Sequence, residues 1–231
     1  KAKRNNCFVI HRIDEHVEDS EEGYRKIRHE KIRSLNKYAD ATVYQSKFVY
    51  QNMHPYLGYP NNFKIIYNGS DPTRFYSTDN PGEYIGHITW SIGAKKRLDI
   101  LYETIINNSD RKFILVGNHS DSKYDFSRLT NTLCVGPVKQ KYLLRYLHKM
   151  QFLFFPSEND PCPNTVVEAL LAGVPVCFNP LGGTVELVNE CGVPLSRLSE
   201  IISNWRLYRE KSLTRNDLRF DNVAQKYLKL F

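Results

Sequence analysis

The sequence has few cysteines and no long apolar run. Its 231 residues include five cysteines, an odd number, and no Cys-x-x-Cys pair occurs. These features exclude a disulfide framework and a cysteine zinc site, and they indicate free thiols in a reducing compartment. Cys7, Cys134 and Cys177 lie in apolar, strand-like runs and are predicted to be core residues. No run approaches the roughly 20 apolar residues of a membrane-spanning helix and no secretory signal is visible, so the predicted location is cytoplasmic.

The first residue is Lys1 rather than methionine, so we expect either that the chain is a fragment of a longer protein or that its start was removed by processing. A hydrophobic fraction of 41% and a charged fraction of 25% are ordinary for a globular protein. The length suits one large domain or two small ones.

The net charge is +7, and part of it is concentrated in YRKIRHEKIRSLNKY, from Tyr24 to Tyr38. On a helix these cations cover most of the circumference, with Ile27, Leu35 and Tyr38 as the predicted inward positions. Three interpretations are open: a solvated face, peripheral contact with an anionic membrane at its cytosolic side, or a phosphate-bearing ligand. No nucleic-acid-binding motif accompanies the charge, so nucleic acid is not an expected partner.

Short β-rich runs alternate with longer helical patterns along the chain. The runs KFILVG (112–117) and QFLFF (151–155) are apolar on both faces, as strands between two helix layers must be. The alternation predicts βαβ units and parallel sheets. The other predicted strands are 7–10, 41–45, 63–67, 83–88, 132–136 and 174–178. The predicted helices are 20–39, one capped by Ser46, 96–106, 139–149, 165–172 and two or three more at the end.

A change of composition at NGSDPTRFYSTDNPGE (68–83) predicts a linker between two α/β parts. About three strands are predicted before it, whereas a complete Rossmann-type unit has about six. We therefore expect residues 1–70 to be the C-terminal part of an incomplete Rossmann-like domain. Residues 71–218 are expected to form a second Rossmann-like domain.

The stretch SENDPCPNTVVEALLAGVPV (157–176) is the strongest candidate for chemistry. Thr165 and Glu168 have the spacing of a T-x-x-E capping box, and Gly173 is placed to close the helix. Taken alone, Glu168 is then a capping residue and Asp160 an ordinary turn aspartate. The alternative is a ligand site, because a strand–loop–helix unit in a parallel sheet brings its loop to the carboxyl edge, where ligands bind.

The backbone amides at the start of the predicted helix 165–172 and the carboxylates near them favour different parts of a ligand. The unpaired amides of Asn164, Thr165 and Val166 favour a phosphate. An ionised carboxylate repels a phosphate but accepts hydrogen bonds from sugar hydroxyls, so Asp160 and Glu168 favour a sugar. The combination suits a nucleotide sugar.

The run DPCPNTVVEALLAGVPVCFNPLGGTVELV (160–188) resembles the signature of the retaining glycosyltransferases of family 4 (group 1), which have the GT-B fold. The family pattern is a carboxylate, seven residues and a glutamate, followed by EA-x-x-x-G-x-PV and GG-x-x-E. It falls here on Asp160, Glu168, Gly173, Pro175, Gly182, Gly183 and Glu186. Other segments that resemble the family are VIHRID, LNKYADATVYQSKF, KIIYNGSDPTRF, WSIGAKKRLDIL, FILVGN, VGPV and FDNVAQKYLKLF. The last resembles the family's closing helix, so residues 219–231 are expected to pack back toward the N-terminal part.

The resemblance implies roles in a site for a nucleotide-diphospho-sugar donor. Lys96 matches the lysine that holds the diphosphate, and Arg97 beside it either assists or faces solvent. Glu168 matches the glutamate that binds the ribose, and Asp160 matches the residue that contacts the transferred sugar. His11 ends a strand in the acceptor-side half and is either a catalytic histidine facing that sugar or a structural one. The remaining predicted donor-binding residues are Gly136, Val138, Cys162, Pro163, Asn164 and Thr165.

Two positions depart from the family pattern. The family usually has glutamate in place of Asp160, so the shorter side chain reaches less far or Glu158 takes its role. The family also usually has an arginine shortly before the lysine, and none occurs in 84–95. Diphosphate binding is then expected to depend on Lys96, Arg97 and the helix amides.

The fold expected from these features is α/β, of GT-B type, with two Rossmann-like parallel-sheet domains of which the N-terminal one is truncated. The resemblance implies transfer of a sugar, with retention, to a hydroxyl of a glycan, lipid-linked or small-molecule acceptor. No Asp-x-Asp motif or ligand-spaced His/Cys cluster is present, and neither a metal nor another cofactor is expected. The main alternative is a non-catalytic nucleotide-sugar-binding fragment or subunit without a complete acceptor site. A phosphorylase, an epimerase and a nucleic-acid binder also stay open as functions.

Overall fold

The computed structural model describes residues 7–16, 24–120 and 122–231, and within them the chain forms two parallel β-sheets. The smaller sheet has the order β1-β2-β3 and the larger the order β6-β5-β4-β7-β8-β9. The strands of the smaller sheet are β1 (Ile10–Ile13), β2 (Ala41–Tyr44) and β3 (Phe63–Ile65). Those of the larger are β4 (Tyr84–Thr89), β5 (Phe113–Gly117), β6 (Thr132–Gly136), β7 (Met150–Phe155), β8 (Val176–Phe178) and β9 (Gly192–Pro194). The prediction of an α/β fold with parallel sheets is confirmed.

Helices connect the strands, as parallel pairing requires. Ser46 caps the second helix by accepting a hydrogen bond from the amide of Val49, as predicted. The helices before the large sheet are α1 (Tyr24–Asn36) and α2 (Lys47–Tyr56). Those within and after it are α3 (Leu98–Asn107), α4 (Leu143–Leu147), α5 (Asn164–Leu171), α6 (Thr184–Val188), α7 (Leu198–Ser212) and α8 (Phe220–Leu228).

The large sheet lies between two helix layers, which explains why its central strands are apolar on both faces. Alternate residues of β7 point to opposite sides: Phe152 and Phe154 pack with α3 and α7, whereas Leu153 and Phe155 pack with α4, α5 and α6. Every residue of β5 is buried. The continuous apolar runs therefore predicted a doubly covered sheet correctly.

The strand order reverses between β4 and β7, and this reversal sets the position of the site. From β4 the chain moves outward through β5 and β6, and it then returns to pair β7 against the other side of β4. The loops that follow β4 and β7 consequently leave the sheet in opposite directions and open a crevice at its carboxyl edge.

The segment between the sheets and the last helix join the two parts of the molecule. Val223 of α8 packs with Val43 and Ile66 next to the small sheet. The chain just after Gly69 pairs with the residue before α8 in an isolated bridge between Ser70 and Arg219. The domain boundaries at 70 and 218 stay predictions.

Several local predictions were wrong. Cys7 and Cys134 are exposed, because β1 begins only at Ile10 and because β6 is the edge strand of its sheet. Ile27, Leu35 and Tyr38 are also exposed, since α1 buries His29 and Asn36 instead. The short strand β9 was missed, residues 20–23 of the first predicted helix lie outside the described residues, and 139–149 contains a 3-10 turn followed by the short α4.

No helix in the described part of the chain has the length and apolar character needed to cross a membrane.

Candidate functional site

The site is built on two loops that face each other across the β4/β7 crevice. The loop after β4 carries Lys96, and the loop after β7 carries Asp160. Lys96 Nζ lies 3.3 Å from Asp160 Oδ2. The two backbones also meet directly, because the amide of Glu158 donates a 2.9 Å hydrogen bond to the carbonyl of Lys95. The predicted diphosphate and sugar residues are therefore neighbours although they are far apart in sequence.

Lys96 lies just ahead of α3 and not in its first turn as expected. It ends a 3-10 turn of Ala94–Lys96, and the next residue, Arg97, has the left-handed φ of 48° that redirects the chain into α3. This short turn holds the lysine at the mouth of the crevice.

Arg97 is held by carboxylates. Its guanidinium contacts Asp99 at 2.8 Å and Glu158 at 3.1 Å, and these hydrogen bonds raise the pKa of Arg97. Arg97 and Glu158, two of the predicted donor-binding residues, thus neutralise each other's charge at the edge of the crevice. A ligand anion would have to compete with two carboxylates for this arginine.

The second loop is braced by a neighbouring turn. Asp160 forms an isolated bridge with Gly182, and the amide of Gly183 donates to the carbonyl of Asp160 at 2.9 Å. A Cβ on Gly183 would lie 1.9 Å from the carbonyl oxygen of Pro161, so only glycine fits. The paired glycines of the GG-x-x-E segment therefore fix the backbone that presents Asp160.

The predicted capping box is wrong. The N-cap of α5 is Pro163, which makes no side-chain cap, and its carbonyl accepts from the amides of Val166 and Val167. Thr165 is thus already inside the helix, and the amide of Val166 is engaged. The phosphate prediction now depends on the amides of Asn164 and Thr165, the first two of the helix.

Glu168 lies one turn into α5 and is buried. Its Oε1 accepts a 2.9 Å hydrogen bond from Nε2 of Gln140, which precedes α4. Burial raises the pKa of Glu168, while the hydrogen bond from Gln140 and the charge of Arg74 oppose that rise. A buried carboxylate held by one neutral donor retains acceptor capacity for the hydroxyls of a ligand.

Two cavities meet at Lys96 and Asp160. Cavity A, of about 370 Å³, is lined by the first turn of α5 and, from the small sheet, by Arg12, Asp14 and Gln45. Cavity B, of about 640 Å³, extends from the same pair toward α1. Lys96, Asp160 and Asp14 line both cavities.

His11 is the predicted catalytic residue that the structure does not bring to this pair. Its Nδ1 lies 2.9 Å from Oδ1 of Asn36 in α1. Because side chains alternate along β1, His11 and Arg12 point to opposite faces of the small sheet, and Arg12 is the one that lines cavity A. The geometry favours the structural interpretation of His11.

Arg12 and Asn68 were missed from the sequence. Arg12 donates to Gln45 Oε1 at 2.7 Å and also to the side-chain oxygen of Asn68. Asn68 Nδ2 donates in turn to the carbonyl of Cys162 and to Oδ1 of Asn164, each at 2.8 Å. The sequence placed Asn68 in the predicted linker and in the segment KIIYNGSDPTRF but gave it no role of its own, and in the structure it connects the small sheet to the start of α5.

Two further predicted donor residues, Gly136 and Val138, lie at and just beyond the end of the edge strand β6. Gly136, with a left-handed φ of 76°, ends β6 and lines cavity C, of about 590 Å³, together with His119. Val138 is partly buried against the core. Beneath this region His87 Nδ1 and His119 Nε2 are 2.7 Å apart, and burial lowers the pKa of both rings, that of His119 to about 4.

Comparison with known proteins places these features in a family. The profile of the family "Glycosyl transferases group 1" matches residues 84–201. No curated protein sequence matches the chain.

Solved structures show the same fold at low sequence identity. Sucrose-phosphate synthase (tll1590) from Thermosynechococcus elongatus superposes with a TM-score of 0.77 at 16% identity, covering 99% of this chain and 68% of that one. Anabaena Alr3699/HepE, crystallised with UDP and glucose, gives 0.77 at 17% identity, covering 99% and 72%. TarM gives 0.75 at 15% identity, covering 97% and 50%.

Proposed function

The chain belongs to the family of group 1 glycosyl transferases, and from this premise we propose that it transfers a sugar from a nucleotide-diphospho-sugar to an acceptor hydroxyl, with retention of configuration. The observation that carries the proposal is the Lys96–Asp160 pair beside the first turn of α5, at the carboxyl edge where the strand order reverses. Both residues lie within the part of the chain that matches the family.

The donor would bind with its diphosphate on Lys96 and on the amides of Asn164 and Thr165. A lysine and a helix N-terminus both favour an anion, and they also stabilise the charge that develops on the departing diphosphate. Cys162 and Pro163 contribute backbone next to this phosphate site. Support for this placement comes from cavity A, which the loop 160–165 and Lys96 line together.

The nucleoside would extend from the diphosphate toward Glu168 and Gly136. Glu168 is proposed to accept hydrogen bonds from the ribose hydroxyls, and Gln140 holds its carboxylate in place. The base would lie near the end of β6, at Gly136 and Val138. Structures crystallised with UDP among the neighbours make UDP-sugars the first donors to test.

In the transfer step the acceptor oxygen forms a bond to the anomeric carbon on the side of the leaving group. The bond from that carbon to the diphosphate oxygen breaks, and its electron pair stays on the diphosphate. The acceptor proton passes to the same departing oxygen. Asp160 would accept a hydrogen bond from a hydroxyl of the transferred sugar. For this, the Asp160 carboxylate would have to move away from Lys96 when the diphosphate binds Lys96.

We propose that this step needs no metal. Lys96 and the α5 amides supply positive charge where a cation would otherwise neutralise the diphosphate. Transfer should then be unchanged by EDTA, and loss of activity that Mg²⁺ or Mn²⁺ restores would contradict this part of the proposal. The cytoplasmic location and the contact with an anionic membrane stay predictions.

The test is a thermal-unfolding screen with UDP-, GDP- and ADP-sugars, followed by a transfer assay with the sugar that stabilises the chain. Lys96→Ala should weaken binding of that donor by about 1–3 kcal/mol, the scale of a charge-assisted hydrogen bond. Lys64→Ala, at an exposed position of β3, is the control and should bind normally. Stabilisation by no nucleotide sugar would contradict the proposal, and donor binding without transfer or hydrolysis would favour the non-catalytic alternative.

A further inference from the structure

Asp14 lies between the proposed donor site in cavity A and the neighbouring cavity B. It follows β1 directly and lines both cavity A and cavity B, as do Lys96 and Asp160. The donor residues come from the large sheet, whereas Asp14 approaches from the small one. Its side chain is 58% exposed, so the carboxylate is available to a ligand that enters the crevice.

A chain of polar contacts connects Asp14 to the donor site. Arg12 Nη1 lies 3.7 Å from Asp14 Oδ2, and Arg12 Nη2 donates to Asn68. Asn68 in turn donates to Asn164 at the start of α5. The Arg12 guanidinium thus contacts both Asp14 and Asn68, and Asn68 contacts the proposed phosphate-binding turn. Arg12 therefore links the position of Asp14 to that of the turn.

The lining of cavity B favours a neutral, hydroxyl-rich molecule. Three of its basic groups contact its own carboxylates: Lys96 with Asp160, and both Arg28 and His29 with Glu15. An anionic ligand would therefore have to displace internal partners. Among the described residues that line this cavity there is no Phe, Tyr or Trp and no aliphatic side chain larger than a proline. An acyl or prenyl chain would find no large apolar side chain to pack against there.

We propose that Asp14 is an acceptor-binding residue and that the acceptor is a neutral sugar or polyol bound in cavity B. The inference rests on the proposed transferase function. The Asp14 carboxylate accepts hydrogen bonds from acceptor hydroxyls that neighbour the attacking one, and so it aims the attacking oxygen at the anomeric carbon. Arg12 is a positioning residue that holds Asp14 and does not itself contact the reacting atoms.

The test compares Asp14→Asn with Asp110→Asn, a control at an exposed carboxylate that pairs with Arg111. Each variant is assayed with the stabilising nucleotide sugar and with methyl glucoside, methyl galactoside or glycerol as acceptor, and separately for donor hydrolysis by water. Asp14→Asn should raise KM for the best of these acceptors about tenfold or more, the scale of a lost hydrogen bond to a charged group. Donor Kd and hydrolysis should stay at the wild-type level.

Transfer by Asp14→Asn with wild-type KM would overturn this inference and leave the proposed function intact. A wild-type chain that uses a prenyl phosphate and none of the sugars or polyols would also overturn it. Failure of the wild type to bind any nucleotide sugar would overturn both proposals, and the donor Kd measurement distinguishes that case.

The role of Arg12 has its own readout. Arg12→Ala should raise the acceptor KM as Asp14→Asn does, whereas Arg12→Lys should restore part of it by keeping a positive charge beside Asp14. A purely structural role for Arg12 would lower the melting temperature of both variants, and Arg12→Lys would then restore none of the acceptor KM. That result would contradict the positioning role.

Discussion

Nζ of Lys96 and Oδ2 of Asp160 lie 3.3 Å apart across the crevice, and both side chains are largely shielded from solvent. A lysine proposed to bind a diphosphate is therefore already neutralised by the carboxylate proposed to bind the sugar. Under the proposed function, a diphosphate that binds Lys96 would compete with Asp160, and the released carboxylate would be free for a sugar hydroxyl. The contact would then couple diphosphate binding to the exposure of Asp160.

This competition predicts that Asp160→Asn binds UDP more tightly than the wild type. The variant removes a negative charge next to the diphosphate and frees Lys96, so Kd for UDP should fall about threefold to tenfold. Transfer should become slower, because the amide is a weaker acceptor for a sugar hydroxyl. Isothermal titration calorimetry with UDP and a transfer assay measure the two effects.

Glu158→Gln is the matched control from the same loop, since Glu158 contacts Arg97 and not Lys96. Its UDP affinity should stay closer to that of the wild type than the affinity of Asp160→Asn. If Asp160→Asn instead binds UDP as weakly as Lys96→Ala, the carboxylate orders the lysine and does not compete with the ligand.

The fold could be predicted because a strand that is buried on both faces needs apolar residues at consecutive positions. The runs 113–117 and 152–155 contain no polar side chain, and they form β5 and most of β7. The candidate site was placed by the same reasoning, since parallel strands bring their carboxyl ends to one edge, and its ligands stay a prediction. The very short β9 carries no comparable pattern and was missed.

The partners of individual polar residues could not be predicted, because they come from distant segments. Glu168 has the spacing of a capping residue, but Gln140, 28 positions away, approaches its carboxylate, and Pro163 begins the helix two residues earlier than Thr165 would. The buried face of α1 depends on distant partners in the same way, since His29 contacts Glu15 and Asn36 contacts His11 and Thr42. Arg12 gave no signal in the sequence, since its partner Asn68 lies 56 positions away.

Glu168→Gln should lose nucleotide affinity without losing stability. Because the pKa of Glu168 is raised, the folded chain holds the carboxyl proton more tightly than the unfolded chain does. The stability of the fold therefore falls as the pH rises from about 4.5, the ordinary glutamate value, through the pKa of the folded state. At pH 7 the buried charge is a cost that glutamine removes. Urea unfolding at pH 7 should therefore give an unchanged or higher free energy, while Kd for UDP rises about tenfold through the lost ribose contact.

Gln140→Ala is the complementary variant. It removes the donor to Glu168 and should be more destabilising at pH 7, where the carboxylate is charged, than at pH 4.5. Lower stability of Glu168→Gln at pH 7 would show that the carboxylate stabilises the fold and would contradict the cost assigned to its burial.

Glu186 should be one of the main stabilising contacts between the two sheets. Its carboxylate accepts three hydrogen bonds of 2.8 Å, from the amides of Lys47 and Phe48 at the start of α2 and from the hydroxyl of Tyr67. Glu186→Ala leaves these donors without their partner and should cost about 3 kcal/mol in the free energy of unfolding. Glu190→Ala, at an exposed carboxylate 3.5 Å from Lys211, should change it by less than about 0.5 kcal/mol. Equal effects of the two substitutions in urea unfolding would refute the bridging role.

The buried pair of His87 and His119 predicts a loss of stability in mild acid. Burial lowers the pKa of His119 to about 4, below the ordinary value near 6.5 that the unfolded chain retains. As pH falls between these values the unfolded chain takes up a proton that the folded one does not, so stability decreases, by about 3 kcal/mol for His119 alone. His87, with its pKa lowered by burial and by the charges of His119 and Lys96, acts in the same direction.

Urea unfolding at pH 7.5, 6 and 4.5 should show this loss in the wild type and in His148→Gln, a half-buried control that bonds to the Tyr76 carbonyl. His119→Gln should show a clearly smaller loss, and an identical pH dependence in all three would mean that the pair does not set the acid stability.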